Sequence, residues 1–327
     1  MAIEPITETR SITMRLKSLI ATLAFGALPL AALAAPFAYV PNEKSGTLSV
    51  IDTETDQVVD EIRAGDKPRG LAVSADGKTI YVSDQPHNAL VMIDTTERKA
   101  VGTIELGESP EGVSASPDGK WIAAASEISN SVNFIDVATG KKAFAVKTKG
   151  KNPEHAVFSP DSKLMFVSAE EADSVDVIDV VRRRQVASIK VGDRPRGIAF
   201  RPDGKVAYVA CEIANAVYAI DVAKRSVIKK MTTGIFSNGV TMAPDGKRVF
   251  ISNGKDATVS AVDTGTNEVL ATIPVGKRPW NMAITPDGKK LYVANGRSNS
   301  VSVIDAVELK PITEVSVGEM PWGVVIK

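Results

Sequence analysis

The chain has 327 residues, 44% of them apolar and only 5% aromatic, with 39 basic and 39 acidic side chains. That length and apolar content suffice for a sizeable core. The zero net charge, with both signs interspersed, leaves no basic stripe for nucleic acid and no polybasic segment for an anionic membrane, so neither partner class is expected.

The first element reads as an export signal. Arg15 and Lys17 precede an apolar run from Leu19 to Leu30, and Ala32-Leu33-Ala34 fits a small-x-small cleavage site. The run from Leu19 to Ala35, 17 residues with Pro29 inside it, is at the short limit for a span, so no stable membrane insertion is expected after cleavage. The acidic "MAIEPITETR" ahead of it is a poor n-region, which makes Met14 a candidate start. The expectation is a signal peptide over 1–34 and a periplasmic mature domain over 35–327. Removing 1–34 takes away Arg10, Arg15 and Lys17 against Glu4 and Glu8, which leaves a net charge of −1.

From residue 37 onward the chain repeats. Ile51-Asp52 recurs as Ile93-Asp94, Ile135-Asp136, Ile178-Asp179, Ile220-Asp221, Val262-Asp263 and Ile304-Asp305, at aspartate spacings of 42 or 43. A second marker keeps the same beat: Asp76-Gly77, Asp118-Gly119, Asp161-Ser162, Asp203-Gly204, Asp245-Gly246 and Asp287-Gly288. Aspartate followed by glycine is the chemistry of a tight hairpin reversal. Between turns each repeat carries four short runs rich in Val, Ile and Tyr with a period of two, for example "GIAFR", "AYVAC", "AVYAID" and "SVIKKM" within 197–231. Four strands per repeat of this length predict an all-β fold, a seven-bladed β-propeller of four-stranded antiparallel blades. The chain opens on a second-strand motif and stops on a first-strand motif, so Gly323–Lys327 is expected to close the ring as the innermost strand of the N-terminal blade. The lone Cys211 can form neither an internal disulfide nor a CxxCH haem attachment, and is read as a packed small residue.

The second strands, Tyr39-Val40-Pro41-Asn42, Tyr81-Val82-Ser83-Asp84, Phe250-Ile251-Ser252-Asn253 and Tyr292-Val293-Ala294-Asn295, resemble the YVTN propeller repeat over residues 37–327. The third blade departs from it with "WIAAAS". Within that family, "DRPRGIAFRPDGKVAYVACEIANAVYAIDVAKRSVIKKM" and "SNSVSVIDAVELKPITEVSVGEMPWGVVIK" are similar to exported propellers associated with PQQ-dependent alcohol catabolism. The resemblance implies a setting, quinoprotein alcohol dehydrogenases with cytochrome c acceptors, and no reaction.

Function therefore depends on sites carried by the fold. The position after the proline, or its counterpart, that opens each innermost strand belongs at the channel mouth. Round the ring it is Arg69, Glu111, Glu154, Arg196, Asn238, Trp280 and Trp322, with His155 and Asn281 standing where five blades have glycine. Arginines for carboxylates and tryptophans for stacking suit a planar anionic ligand or a partner's side chain. The competing reading pairs Arg69 with Glu111 and Arg196 with Glu154, and has the tryptophans plug the channel. Glu43, Asp84, Glu127, Glu170, Glu171 and Glu212 fall in loops on the same face and read either as ordinary solvated loop acids or as an acidic docking patch for a basic partner such as a cytochrome c. The rival class is a metal-dependent lactonase- or lyase-type enzyme using Glu111 and Glu154 with His155 and Asn238. With His87 and His155 as its only histidines and no GxSxG motif, the chain is expected to be a non-catalytic binding module without a cofactor or resident metal.

Overall fold

The computed structural model describes residues 36–327 together with Met1 and Ala2; the expected signal peptide lies outside the described residues. Ala35–Lys327 forms one compact unit. Among the described residues, no helix is long and apolar enough to cross a membrane.

Seven four-stranded antiparallel sheets follow one another along the chain. Blade 2 shows the plan: β4 (Pro68–Val73) innermost, then β5 (Thr79–Asp84), β6 (Ala89–Asp94) and β7 (Lys99–Glu105) outermost. The second strands are buried almost throughout, the third nearly so, whereas each outermost strand buries mainly one residue. The reason is position. Inner strands are covered by neighbouring blades on both faces, so they read as near-continuous apolar runs, while the rim meets water. The buried residues form seven clusters, each straddling two adjacent blades. In the third blade, Ala123 and Ala125 leave room that Phe134 fills, stacked on Phe144 at 4.5 Å with Trp121 edge-on at 5.3 Å.

The repeat markers are turn devices. Asp52, Asp94 and their equivalents accept the N–H groups two and three residues on, opening the turn to the outermost strand. Asp76, Asp118, Asp161 and Asp287 take a hydroxyl from the preceding Ser or Thr and a backbone N–H two residues on. The residue leading into each third strand is left-handed: Gly46, Asn88, Asn130, Asp173, Asn215, Ala257 and Asn299. Four of the asparagines also hold the next inter-blade loop, Asn88 Oδ1 accepting from Ser109 N at 2.9 Å and Asn215 Oδ1 from Phe236 N at 2.8 Å.

The ring closes as expected. The short strand Val325–Ile326 pairs antiparallel with Phe37–Asn42, placing Ala38 opposite Ile326 and Tyr39 opposite Val325. Phe37 and Lys327 exchange both backbone bonds at 2.7 and 2.9 Å, and Trp322 N donates to Pro41 O at 2.9 Å.

Candidate functional site

Each complete innermost strand bulges in the same place. Pro68 pairs with Asp84 and Leu71 with Val82, so the inner strand carries an extra residue relative to its neighbour, and the bulge re-aims Arg69 into the channel. The same shift recurs after Pro110, Pro153, Pro195, Ser237 and Pro279. A second tier lies just above, at the residue following each second strand: Glu43, Gln85, Glu127, Glu170, Glu212, Gly254 and Gly296. A third is the residue before each bulge, left-handed at Ser109, Asn152, Arg194, Phe236, Arg278 and Met320. Across the tiers, the second-tier N–H donates to the third-tier carbonyl, as from Glu127 to Ser109 at 2.9 Å and Glu212 to Arg194 at 2.8 Å.

The three tiers enclose one cup of about 290 Å³, lined by residues of all of them, among them Glu43, Arg69, Glu127, Glu154, Glu170, Arg196, Asn238, Trp280 and Trp322. Channel mouth and acidic loops, read from the sequence as two features, are one site. The expected solvated patch is corrected accordingly. Glu43, Glu170 and Glu212 are buried, and Glu127 is half-buried. Asp84 sits one position too early to reach the cup; it is buried against the N–H groups of Asp66 and Lys67 and the ring of His87. Only Glu171 is exposed, where it meets Asp173 and Asp193 on the outer wall.

Arginines thread between the carboxylates. Arg69 pairs with Glu111 and, at 3.2 Å, with Glu43. Arg196 touches Glu170, Glu154 at 2.7 Å and Glu212 at 3.0 Å. Arg278 reaches Glu212 at 2.6 Å, and Arg194 lies 3.4 Å from Glu170. The expected pairs Arg69–Glu111 and Arg196–Glu154 are both present, inside a larger network. The guanidiniums that a planar anionic ligand would use are committed to glutamates.

Burial pushes the carboxyls of Glu111, Glu127 and Glu170 up, and Glu154 pushes each further. Glu154 resists its own burial, because Arg196 and then His155 draw it below the usual carboxylate range. Arg196, deeply buried but ringed by Glu154, Glu170 and Glu212, stays firmly charged. His155 is pushed down by burial, which favours the neutral ring. That ring stacks on Trp322, centroids 5.6 Å apart, so one tryptophan of the pair spans the channel. Trp280 remains partly exposed on the cup wall, and Asn281 donates through its backbone and side-chain amides to Trp322 O at 3.3 and 3.4 Å.

The collar of acids is broken at Gln85 and at two glycines. A Cβ on Gly296 would lie 2.6 Å from the Trp280 ring, and one on Gly254 would lie 2.8 Å from the Arg278 guanidinium. Glutamate is replaced there because the neighbouring large side chain needs the space.

Residues 14–116 and 113–327 match the model of the YNCE-like beta-propeller family. The chain belongs to this family. Among solved structures, a functionally unknown protein from Desulfotomaculum acetoxidans DSM 771 is similar at 18% identity and a TM-score of 0.79, over 89% of this chain and 98% of that one. A Kuenenia stuttgartiensis hydrazine synthase chain is similar at 23% identity and a TM-score of 0.71, over 78% of this chain and 88% of that one. Both likenesses concern the fold. No curated protein matches the chain.

In this YNCE-like propeller, sequence reasoning passed over Arg194, Arg278, Asn152 and Gln85. For the two arginines the signal lies in "DRPRG" and "KRPW", since the residue before the proline holds as regular a place in the repeat as the one after it. Cys211 is no nucleophile: burial pushes its thiol up to about 12. Metal-holding capacity rests with Glu127, Glu154 and Glu170, whose ligand atoms all lie within 4.8 Å of one another.

Proposed function

We propose that this YNCE-like propeller is a non-catalytic binding module of the periplasm, accessory to a PQQ-dependent alcohol oxidation system, and that its loop face docks a quinoprotein dehydrogenase or a cytochrome c. One observation carries the docking reading: the rim is dipolar. Glu170, Glu171, Asp173 and Asp193, with Arg194 among them, form a net acidic wall on blades 4 and 5, while Lys255, Lys277, Arg278 and Arg297, with Arg194 and Glu212 beside them, form a net basic one on blades 6 and 7. Partly exposed Trp280, on the cup wall with Arg278, serves as an aromatic anchor. Opposed charge walls orient a partner during encounter and raise its association rate, most strongly at low salt. The quinoprotein setting is supported by the blade motifs shared with exported alcohol-catabolism propellers.

The test is binding of the purified dehydrogenase and cytochrome c to the mature protein at low and high salt. Glu171→Lys with Asp193→Lys is expected to cut the low-salt association rate by an order of magnitude or more, and Trp280→Ala to accelerate dissociation. Rates unmoved by both variants would count against the docking face. A metal-dependent lactonase- or lyase-type enzyme is the second reading, favoured by the cluster of Glu127, Glu154 and Glu170; turnover that needs metal and disappears in Glu154→Gln would support it.

A further inference from the structure

The carboxylates of the cup are unequally provided for. Glu43, Glu111, Glu154, Glu170 and Glu212 each contact an arginine. Glu127 contacts none among the described residues; its one donor is the Ser109 hydroxyl, at 2.9 Å. Yet one oxygen of Glu127 lies within 4.8 Å of oxygens from Glu154 and Glu170. Beneath it, Glu111 is 1% exposed and within hydrogen-bonding reach of Glu127. Its Oε1 takes Arg69 and Gln85, while its Oε2 has no donor at all.

Two adjoining carboxyl groups need a shared proton or a cation between them, and an orphaned, desolvated carboxylate oxygen is costly. Four arginines serve the six glutamates in and beneath this cup, a shortfall of two charges, or one if Lys67 at the rim, 3.6 Å from Glu43, is counted, to be met by protons or by a cation. We infer that the shortfall is met by a hard divalent cation of the calcium class, held by Glu127, Glu154 and Glu170 above the buried Glu111.

The donor set selects the ion. Calcium takes six to eight oxygen ligands at about 2.4 Å in flexible geometry, so ligand atoms up to about 4.8 Å apart can share one ion. The donors are carboxylates, with the amide oxygen of Asn152 beside Glu170 available as a neutral ligand, since its Nδ2 already donates to Glu170 at 2.9 Å. Water in the open cup completes the shell. Zinc or copper would call for thiolate or imidazole; Cys211 is buried in a blade interface, and the His155 ring is stacked on Trp322.

The experiment needs neither partner nor substrate, so its failure and that of the docking reading are separable. Mature protein stripped with EDTA is titrated with calcium by calorimetry, and its melting temperature is followed against calcium concentration. One equivalent bound, with a melting temperature that climbs with calcium, is expected. Glu127→Gln and, separately, Glu170→Gln should each weaken binding at least tenfold, while Glu308→Gln on the opposite face leaves it unchanged. Two variants guard against a folding defect in either. No calcium, magnesium or manganese binding at millimolar concentration by folded protein would overturn the site, as would wild-type affinity in both Gln variants.

Discussion

The indole of Trp322, five residues from the C-terminus, stacks on the imidazole of His155 from the opposite side of the ring, interplanar angle 11°. This contact ties the blade that closes the ring to the blade across the channel. The tryptophan pair is therefore not two copies of one feature. Trp322→Ala should cost about 3 kcal/mol, the usual scale for truncating a buried tryptophan, and Trp280→Ala much less, since part of its side chain already meets water. Urea unfolding of the two single variants checks this; equal midpoints would refute the difference.

Deleting Gly323–Lys327 removes the innermost strand of the first blade. It strips the partners of Phe37, Ala38 and Tyr39 and exposes the cluster that Val324 shares with Val40 and Tyr292. The expected loss is about 5 kcal/mol, from several backbone bonds and two or three apolar side chains, which a calorimetric melting temperature should register as a fall of roughly 10 °C or more. A shift of a degree or two would mean that the seam is only a frayed end.

Ala257 stands at a left-handed position, φ +55°, where the equivalent residues are mostly asparagine, aspartate or glycine. In blade 2 the corresponding Asn88 holds Ser109 N, 21 residues on; by the same offset, an asparagine side chain in place of Ala257 would face the N–H of Arg278. Ala257→Asn is expected to stabilise the protein by about 1 kcal/mol, from relief of left-handed strain and one added hydrogen bond. An unchanged or lowered urea midpoint would contradict that geometry.

Four of the blade-turn aspartates are shifted in the same direction. Hydroxyls from Ser74, Ser159 and Thr285, and at Asp118 the Ser116 hydroxyl against a burial effect, hold Asp76, Asp161, Asp287 and Asp118 below the ordinary 3.8. A carboxyl whose folded value is depressed stabilises the fold above its unfolded value and loses that contribution as pH falls through the folded one. Stability should therefore decline from about pH 4 downward, and more gently in a variant carrying Asp118→Asn and Asp161→Asn. Parallel pH profiles of the urea midpoint would refute the role of these turns.

The architecture was legible because seven copies of the same turn chemistry reinforce one another, and because mismatched motifs at the two ends announce the seam. The seven bulge residues were legible for the same reason, as one register position read round the ring. Burial was not. Glu127, Glu170 and Glu212 looked like ordinary solvated loop acids, since a one-dimensional pattern cannot show that loops from seven blades converge on one axis. Asp84 is acidic but is the last residue of its strand, and the register equivalent of Glu127 and Glu170 is its neighbour Gln85. His155 could be seen to replace a glycine; that it would meet Trp322 across the channel depends on the ring's diameter, which no local motif records.

The two glycines in the second tier matter beyond the space they leave for Trp280 and Arg278. A collar of seven identical acids would offer an incoming molecule seven equivalent azimuths, and selecting one of them would cost about 1.2 kcal/mol of orientational entropy, RT times the logarithm of the number of headings. By leaving side chains out of the collar only at the adjacent blades of Gly254 and Gly296, the chain gives a pseudo-symmetric wheel one keyed heading, and the selection is made in the sequence before any encounter takes place.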